Sequence, residues 1–309
     1  MTAGQDDLPP GKKTLLIANP TSGLGRTGRL ADSLARRLGS RGLEVDLALT
    51  RSDLAAAHLA SAAVARAYAR VIVAGGDGTI NSVVGGLANT PIACGVIPTG
   101  MANAFAREMD IPLSLDAACD VAAGSAVRVI DLARAGSRHF ALMAGVGFDA
   151  DVVAHVNPRL KRIFGPAAYV AAGLARIATY RPSPMTLAWD DGELSAPVLM
   201  LVAANTAQYT YKWRIALHAR PDDGVLDVVA FTCRNALDVP AHVVGALTGR
   251  HGRHPSVVVF RTKRLRITCE RVLPLQLDGD PAGAAPEEME VVPGALRVIA
   301  PSPSDATVS

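Results

Sequence analysis

The sequence predicts an α/β protein of two domains, a three-layer domain on a parallel sheet followed by a β-sandwich. Three observations predict it. The chain has 309 residues, more than one typical core accommodates. Up to Met109 it alternates apolar, strand-like runs with helical stretches. After Asp131 most apolar runs are short, strand-like and separated by Gly/Pro turns. A hydrophobic content of 50% excludes a disordered chain. The net charge of +3 demands no nucleic acid, and none is expected as a partner.

The residues before Thr14 read as a polar leader with no apolar signal segment behind them. Leu15–Ala18 is a strand ending at Asn19-Pro20, and Arg26–Leu38 is helical. Leu43–Leu49 alternates as a strand, with Val45, Leu47 and Leu49 on one side. Asp53 caps a helix that runs to about Ala67. Val71–Ala74 is a buried strand stopped by Gly75-Gly76, and Asn81–Leu87 is helical. Ile92–Ile97 is a strand, and Met101–Met109 is a helix closed by Ile111-Pro112. Apolar strands without strict alternation have both sheet faces covered. The sheet is therefore parallel with right-handed crossovers, a Rossmann-like arrangement whose ligand lies beyond the carboxyl ends of the strands.

Beyond Asp131 the expected strands are Phe140–Gly147, Met185–Asp190, Val198–Ala204, Leu226–Thr232, Val257–Phe260, Leu265–Thr268, Leu275–Leu277 and Leu296–Ile299. Helices are expected at Arg159–Tyr180 and Ala236–Thr248. The domain boundaries fall at 1–132 and 133–291, with a tail from about 292 to 309 that packs back on the first domain. Cys94, Cys119, Cys233 and Cys269 form no CxxC or zinc spacing and read as reduced and mostly buried. Ile163–Ala178 and Ala196–Ala204 are too short or too interrupted to span a bilayer, so a cytoplasmic location is expected.

The chemistry concentrates in Gly75-Gly76-Asp77-Gly78-Thr79-Ile80-Asn81, where a buried strand runs into a glycine-rich turn and then a helix. Such glycines let backbone N–H groups approach a phosphate, and the helix start favours an anion. Asp77 places a carboxylate where Mg²⁺ could bridge phosphates; it also reads as the cap of a tight turn. The third glycine of a dinucleotide fingerprint is missing, and Gly11-Lys12-Lys13-Thr14 precedes a strand, so it is no P-loop. Two similar turns, Asn19-Pro20-Thr21-Ser22-Gly23 and Pro98-Thr99-Gly100-Met101-Ala102-Asn103, follow the first and fourth strands. Three such turns at the ends of parallel strands can converge on one nucleotide.

With these turns, Gly100–Arg107, Asp222-Asp223-Gly224-Val225-Leu226-Asp227 and Leu277-Asp278-Gly279-Asp280-Pro281, the chain from Leu15 to Pro301 resembles the bacterial lipid kinases of the diacylglycerol kinase catalytic-domain family. The resemblance implies an N-terminal nucleotide domain and a C-terminal β-sandwich with the active site in the cleft between them. It implies ATP and Mg²⁺ as cofactors and transfer of the γ-phosphate to a hydroxyl of a membrane lipid, at the inner face of the membrane. Asn19, Pro20, Thr21, Ser22 and Gly23, Thr50, Gly75 to Ser82 (including Gly78, Thr79, Ile80 and Asn81), Gly100, Met101 and Asn103 would hold ATP. Thr50 reads equally as an ordinary strand-end hydroxyl. Asp77 would act on Mg²⁺–ATP, and Asp280 would take the place of the family's general base. A structural Mg²⁺ would sit on the Asp223 carboxylate and the Arg220 and Val225 carbonyls, in a turn that also reads as a plain hairpin.

The chain departs from the family pattern at Asp280, where glutamate is usual, at Met101, where threonine is usual, and at Ala104, where many relatives have aspartate. Thr99 or Asn103 can supply the missing polar group, and Arg26 keeps a positive charge after the first turn. Asp278 reads as an orienting carboxylate. On the acceptor side, Tyr209–Arg214 could greet a head group or form an exposed strand pair. Arg250, Arg253, Arg261, Lys263, Arg264 and Arg266 could face anionic lipid, although strand faces in solvent explain most of them. His251 and His254 are assigned no metal, and a homodimer is left open. A kinase of a soluble alcohol such as NAD, and a nucleotide- or lipid-binding protein with little catalysis, are the competing readings.

Overall fold

Almost wholly apolar runs such as Lys13–Ala18 (β1), Arg70–Gly75 (β3) and Ala93–Pro98 (β4) can be buried only in a sheet covered on both faces. In the computed structural model they pair parallel, together with β2 (Glu44–Leu49), in the order β2-β1-β3-β4. The described residues are 13–156, 166–177, 179–210, 213–235, 238–248 and 250–301; the leader lies outside them. The chain divides into two compact units, one holding the residues up to Asp131 and from Pro293 onward, the other Leu132–Val292.

In the first unit, α1 (Ser22–Gly39) packs with α5 (Leu115–Ala123), and α2 (Asp53–Ala62) packs with α3 (Asp77–Leu87). Right-handed crossovers set these pairs on opposite faces, completing three layers. The strand order reverses between β1 and β3, so a ligand crevice opens at their carboxyl ends. The carboxyl-terminal part of the last strand, β17 (Glu288–Ile299), adds parallel to β4 through Arg297↔Ala93 and Val298↔Cys94. The buried Asp131 accepts the Gly294 N–H (2.7 Å), tying the returning tail to this unit.

Several local expectations need correction. Ser52, not Asp53, caps α2, its hydroxyl accepting the Ala55 N–H at 3.2 Å, and α2 ends at Ala62. Val45 and Leu47 are half-buried, but Leu49, at the end of an edge strand, is 55% exposed. Helix α4 (Ala104–Glu108) starts three residues later than expected, because Asn103 is left-handed (φ 50°). Helix α5 was not anticipated, although Ser114 accepts the Ala117 N–H in the manner of a cap.

The second unit is built on antiparallel strands. β9 (Gly192–Ala204) is its spine: its first half pairs with β8 (Ser183–Trp189), its second with β7 (Met143–Gly147) and β12 (Leu226–Thr232). β7 pairs with β15 (Pro274–Leu277), which turns into β16 (Asp280–Ala284); β12 pairs with β13 (Val257–Thr262). β8 pairs with β14 (Arg264–Cys269), and β14 with Glu288–Glu290 of β17. Phe140, Val146, Leu187, Leu201, Val228, Leu265 and Met289 fill the sandwich core. Phe231, Met143 and Val202 pack on the outer face, where α6 (Phe148–His155), α7 (Pro166–Ile177) and α8 (Asp238–Thr248) contribute Phe148, Ile177 and Val239. Parts of the two helices expected here, residues 159–165, 178 and 236–237, lie outside the described residues. Among the described residues no helix is long and apolar enough to cross a membrane.

His242 of α8 is 3% exposed and donates its Nε2–H to the Thr232 carbonyl (2.7 Å). Burial, aided by nearby His254, lowers its pKa, although the Thr232 bond and Asp238 pull the other way. The unfolded chain therefore takes up a proton near pH 6.5 that the folded chain resists. Stability should be full above about pH 6.5 and fall as the pH drops toward the depressed folded value. Urea midpoints at neutral and mildly acidic pH should differ more in wild type than in His242→Gln, which keeps a donor to Thr232; equal differences would remove His242 as the cause.

Candidate functional site

The turns after β1, β3 and β4 are bolted to one another by hydrogen bonds. The Asn19 amide donates to the Thr79 hydroxyl (2.8 Å), and the Ser22 hydroxyl accepts the Gly76 N–H (3.3 Å). These bonds join the first turn to the second at the starts of α1 and α3. The Thr27 hydroxyl donates to the Thr99 hydroxyl (2.7 Å), joining α1, just after the first turn, to the third. The Asp77 carboxylate accepts the backbone N–H groups of Asn103 (2.9 Å) and Ala104 (2.6 Å), joining the second to the third. A Cβ on Gly100 would lie 2.8 Å from the Gly76 Cα, so only glycine permits this approach. Two helix amino termini thus open at the sheet's switch point, each carrying roughly half a positive charge. That is a place for an anion.

The candidate nucleotide residues divide into frame and rim. Asn19 is buried, with its Oδ1 taken by the Thr21 N–H (3.0 Å) and hydroxyl (2.8 Å). Thr79 is buried and donates to Asp53 (3.3 Å), while Ile80 belongs wholly to the core. The Thr50 hydroxyl donates to the Ser52 carbonyl (2.6 Å), so it is spent within its own turn. Gly76, Asp77, Gly78, Asn81, Ser82 and Gly100 are half-buried, and Met101 is 48% exposed. Asp77 acts as a cap of the third turn, not of its own helix. Thr27, which sequence reasoning missed, holds Thr99 from a turn of helix downstream. Within α1 the side chains of Leu24 and Arg26 are outside the description, so the expected charge at Arg26 is not placed.

In the second unit Asp278 (φ 51°) and Gly279 (φ 85°) form a two-residue hairpin turn of the primed kind, and Asp280 follows it, paired with Leu277. The Asp278 carboxylate accepts the N–H groups of Ala141 (2.8 Å), Leu142 (2.8 Å) and Met143 (2.9 Å). Burial pushes its pKa up to about 6, and the Asp280 charge adds to this, against the pull of those three bonds. Asp278 is therefore an anchor that fixes the turn from which Asp280 projects.

The sequence from residue 13 to 135 matches the diacylglycerol kinase catalytic domain, and residues 143–300 match the YegS C-terminal NAD kinase beta sandwich-like domain. The chain is 31% identical over 308 residues to a diacylglycerol kinase of Mycobacterium tuberculosis, covering 97% of this chain and 99% of that one. It is 34% identical over 306 residues to a lipid kinase YegS-like protein of Pseudomonas fluorescens, covering 95% and 97%. The chain belongs to the bacterial diacylglycerol kinase and YegS-like lipid kinase family. Two crystal structures from Bacillus anthracis share its fold. One has a TM-score of 0.81 at 20% identity and covers 98% of this chain and 99% of that one. The other, a diacylglycerol kinase, has a TM-score of 0.72 at 18% identity and covers 96% and 99%. The expected family, α/β class and terminal β-sandwich are thereby established.

Within this family member, the Asp222–Val225 turn, expected to hold a structural Mg²⁺, carries side-chain contacts of its own. Asp223 Oδ1 accepts the Val225 N–H (3.3 Å), and Oδ2 is paired with the Arg261 guanidinium. Arg261 also reaches Asp227 (3.3 Å), and Arg220 spends its side chain on Asp222 (3.2 Å). Asp223 therefore stands in an ion-paired turn, and a Mg²⁺ on its carboxylate and the Arg220 and Val225 carbonyls would have to displace the Arg261 guanidinium. Among the described residues no three His, Cys, Asp or Glu side chains are placed to hold a metal ion. EDTA should leave the melting temperature of the nucleotide-free protein unchanged. A bound ion worth 1 kcal/mol would instead lower it by about 2–4 °C on removal.

Other cations of the basic stretch are paired too. Arg264 stands opposite Glu290 and Arg266 opposite Glu288 across the β14–β17 pair, with Arg264–Glu288 at 3.6 Å and Arg266–Glu288 at 3.9 Å. These are ladder contacts of a solvent-facing sheet. His251, buried, bonds the Ile215 carbonyl through Nε2 (2.8 Å). Gln208–Thr210 (β10) pairs antiparallel with Trp213–Arg214 (β11), while Tyr211 and Lys212 lie outside the described residues.

Proposed function

We propose that this chain transfers the γ-phosphate of ATP to a hydroxyl group of a membrane lipid, with Mg²⁺ arriving as the partner of ATP. The observation that carries this reading is the hydrogen-bonded triple turn with two helix starts opening on it. Family membership supports the kinase chemistry and the lipid class, and the relatives' names make a diacylglycerol-like lipid the first acceptor to try. Phosphatidylglycerol and sphingoid or ceramide lipids present the same hydroxyl chemistry.

The backbone of the second and third turns cradles the phosphates, and the rim residues Asp77, Asn81 and Ser82 face the nucleotide with its Mg²⁺. Asp280 accepts the proton of the lipid hydroxyl as its oxygen attacks the γ-phosphorus and ADP leaves. Met101 donates no hydrogen bond, so Thr99 and the Asn103 turn supply the polar contacts there. Peripheral contact with an anionic membrane belongs to the same proposal, through cations such as Arg250, Arg253 and Lys263.

The test is incubation with labelled ATP, Mg²⁺ and a mixed lipid extract, followed by chloroform extraction. Label in the chloroform phase, with the product identified by mass spectrometry, supports the proposal. Label on added NAD would make the chain a kinase of a soluble alcohol. Nucleotide binding without any labelled product would leave it a binding protein.

A further inference from the structure

Gln276 lies in β15 between two leucines of the sandwich core, and it is only 2% exposed. A buried amide in an apolar strand is unfavourable unless every one of its bonds is made. Its cross-strand partner is Gly145 of β7, and a Cβ there would lie 1.9 Å from an Asp149 oxygen and 2.7 Å from the Gln276 nitrogen. The glycine therefore opens a slot in which two polar side chains meet over the strand. In that slot the Gln276 Nε2–H donates to Asp149 Oδ2 (2.8 Å), and Gln276 Oε1 accepts the Gly279 N–H (2.7 Å). Asp149, at the start of α6, is 7% exposed. The amide can stand only one way round. A backbone N–H only donates, so the oxygen must face Gly279 and the nitrogen must face Asp149.

Gly279 is the second residue of the left-handed turn, and Asp280 is the next residue along. The Asp278 clamp holds this turn from one side; the Asp149–Gln276 relay holds it from the other. We propose that Asp149 and Gln276 are positioning residues that set the peptide plane from which the Asp280 carboxylate projects. This rests on the reading of Asp280 as the proton acceptor. A displacement of about 1 Å at a reacting group lowers the rate around 10²-fold, so the relay acts on kcat and leaves ATP binding alone.

The experiment compares Gln276→Leu, Gln276→Glu and Asp280→Asn in the full-length protein, with kcat and the KM for ATP measured across pH. Far-UV circular dichroism and melting curves establish folding. Gln276→Leu should lower kcat about 10²-fold with the KM for ATP unchanged. In Gln276→Glu a protonated acid reproduces both bonds of the amide, donating to Asp149 and accepting from Gly279. The ionised form cannot donate and repels Asp149. Its kcat should therefore fall as the pH rises, a loss absent from wild type. A folded Gln276→Leu with wild-type kcat overturns the proposal. Should that variant not fold, a Gln276→Glu profile parallel to wild type overturns it equally. If Asp280→Asn alone keeps the wild-type rate, the proton-acceptor assignment has failed and the positioning role falls with it. If Asp280→Asn is inactive while both Gln276 variants match wild type, only the positioning role falls.

Discussion

Replacing Asp280 by asparagine should slow phosphate transfer by about 10²- to 10⁴-fold, the range for loss of a general base, with ATP affinity unchanged. The side chain sits one residue after a turn held by Asp278 and by Gln276. Its backbone is therefore fixed, so the asparagine side chain starts from the same place as the aspartate it replaces. Initial rates at saturating ATP and calorimetric nucleotide titrations separate the two effects. An unchanged rate would show that another group takes the proton. Asp280→Glu carries separate information. Aspartate is one methylene shorter than the glutamate usual in the family, and a misplacement near 1 Å costs around 10²-fold. A faster Asp280→Glu enzyme would mean that reach limits the natural one. A slower enzyme would mean that the backbone has already moved to suit aspartate.

Asp77→Ala should reduce transfer below detection, weaken ATP binding and lower stability together. A solvent-facing turn would have left the fold untouched. Instead the half-buried carboxylate takes two backbone N–H groups from the third turn. Hydrogen bonds to a charged acceptor contribute about 1.5–3 kcal/mol each, so for the two a destabilisation on the order of 3–6 kcal/mol is expected. Asp77→Asn keeps one acceptor oxygen and should fall between wild type and alanine in melting temperature. Turnover at the wild-type rate in Asp77→Ala would remove this residue from the mechanism, and an unchanged melting temperature would remove the clamp.

The parts legible from sequence were those written in local chemistry. Three small-residue turns after apolar strands announce a parallel sheet with an anion site, because glycine and short side chains are what such turns require. The paired φ values of Asp278 and Gly279 follow likewise from the Asp-Gly dipeptide. Partners far apart along the chain were not legible. Nothing near Thr27 announces Thr99, and nothing near Gln276 announces Asp149, 127 positions earlier. The function of a polar side chain followed its partner. Asn19 and Thr79, expected to hold a nucleotide, bond each other across two turns, and Asp223, expected to hold a metal, pairs with Arg261. Helix α5, only nine residues long, is too short for its apolar period to stand out, although its Ser114 cap is a local signal.

The order of the units along the polymer has a consequence for recombination. The first unit is interrupted after Asp131 and resumes at Pro293, so the whole of Leu132–Val292 is a single insert with both its ends fused to the same host. A nascent chain cannot complete the host's sheet until the segment around Arg297 and Val298 leaves the ribosome, and a fragment ending at Asp131 would lack that edge. Both junctions fall inside strands, Val127–Ala135 and Glu288–Ile299, so an exchange of the insert between relatives would have to keep both strands whole.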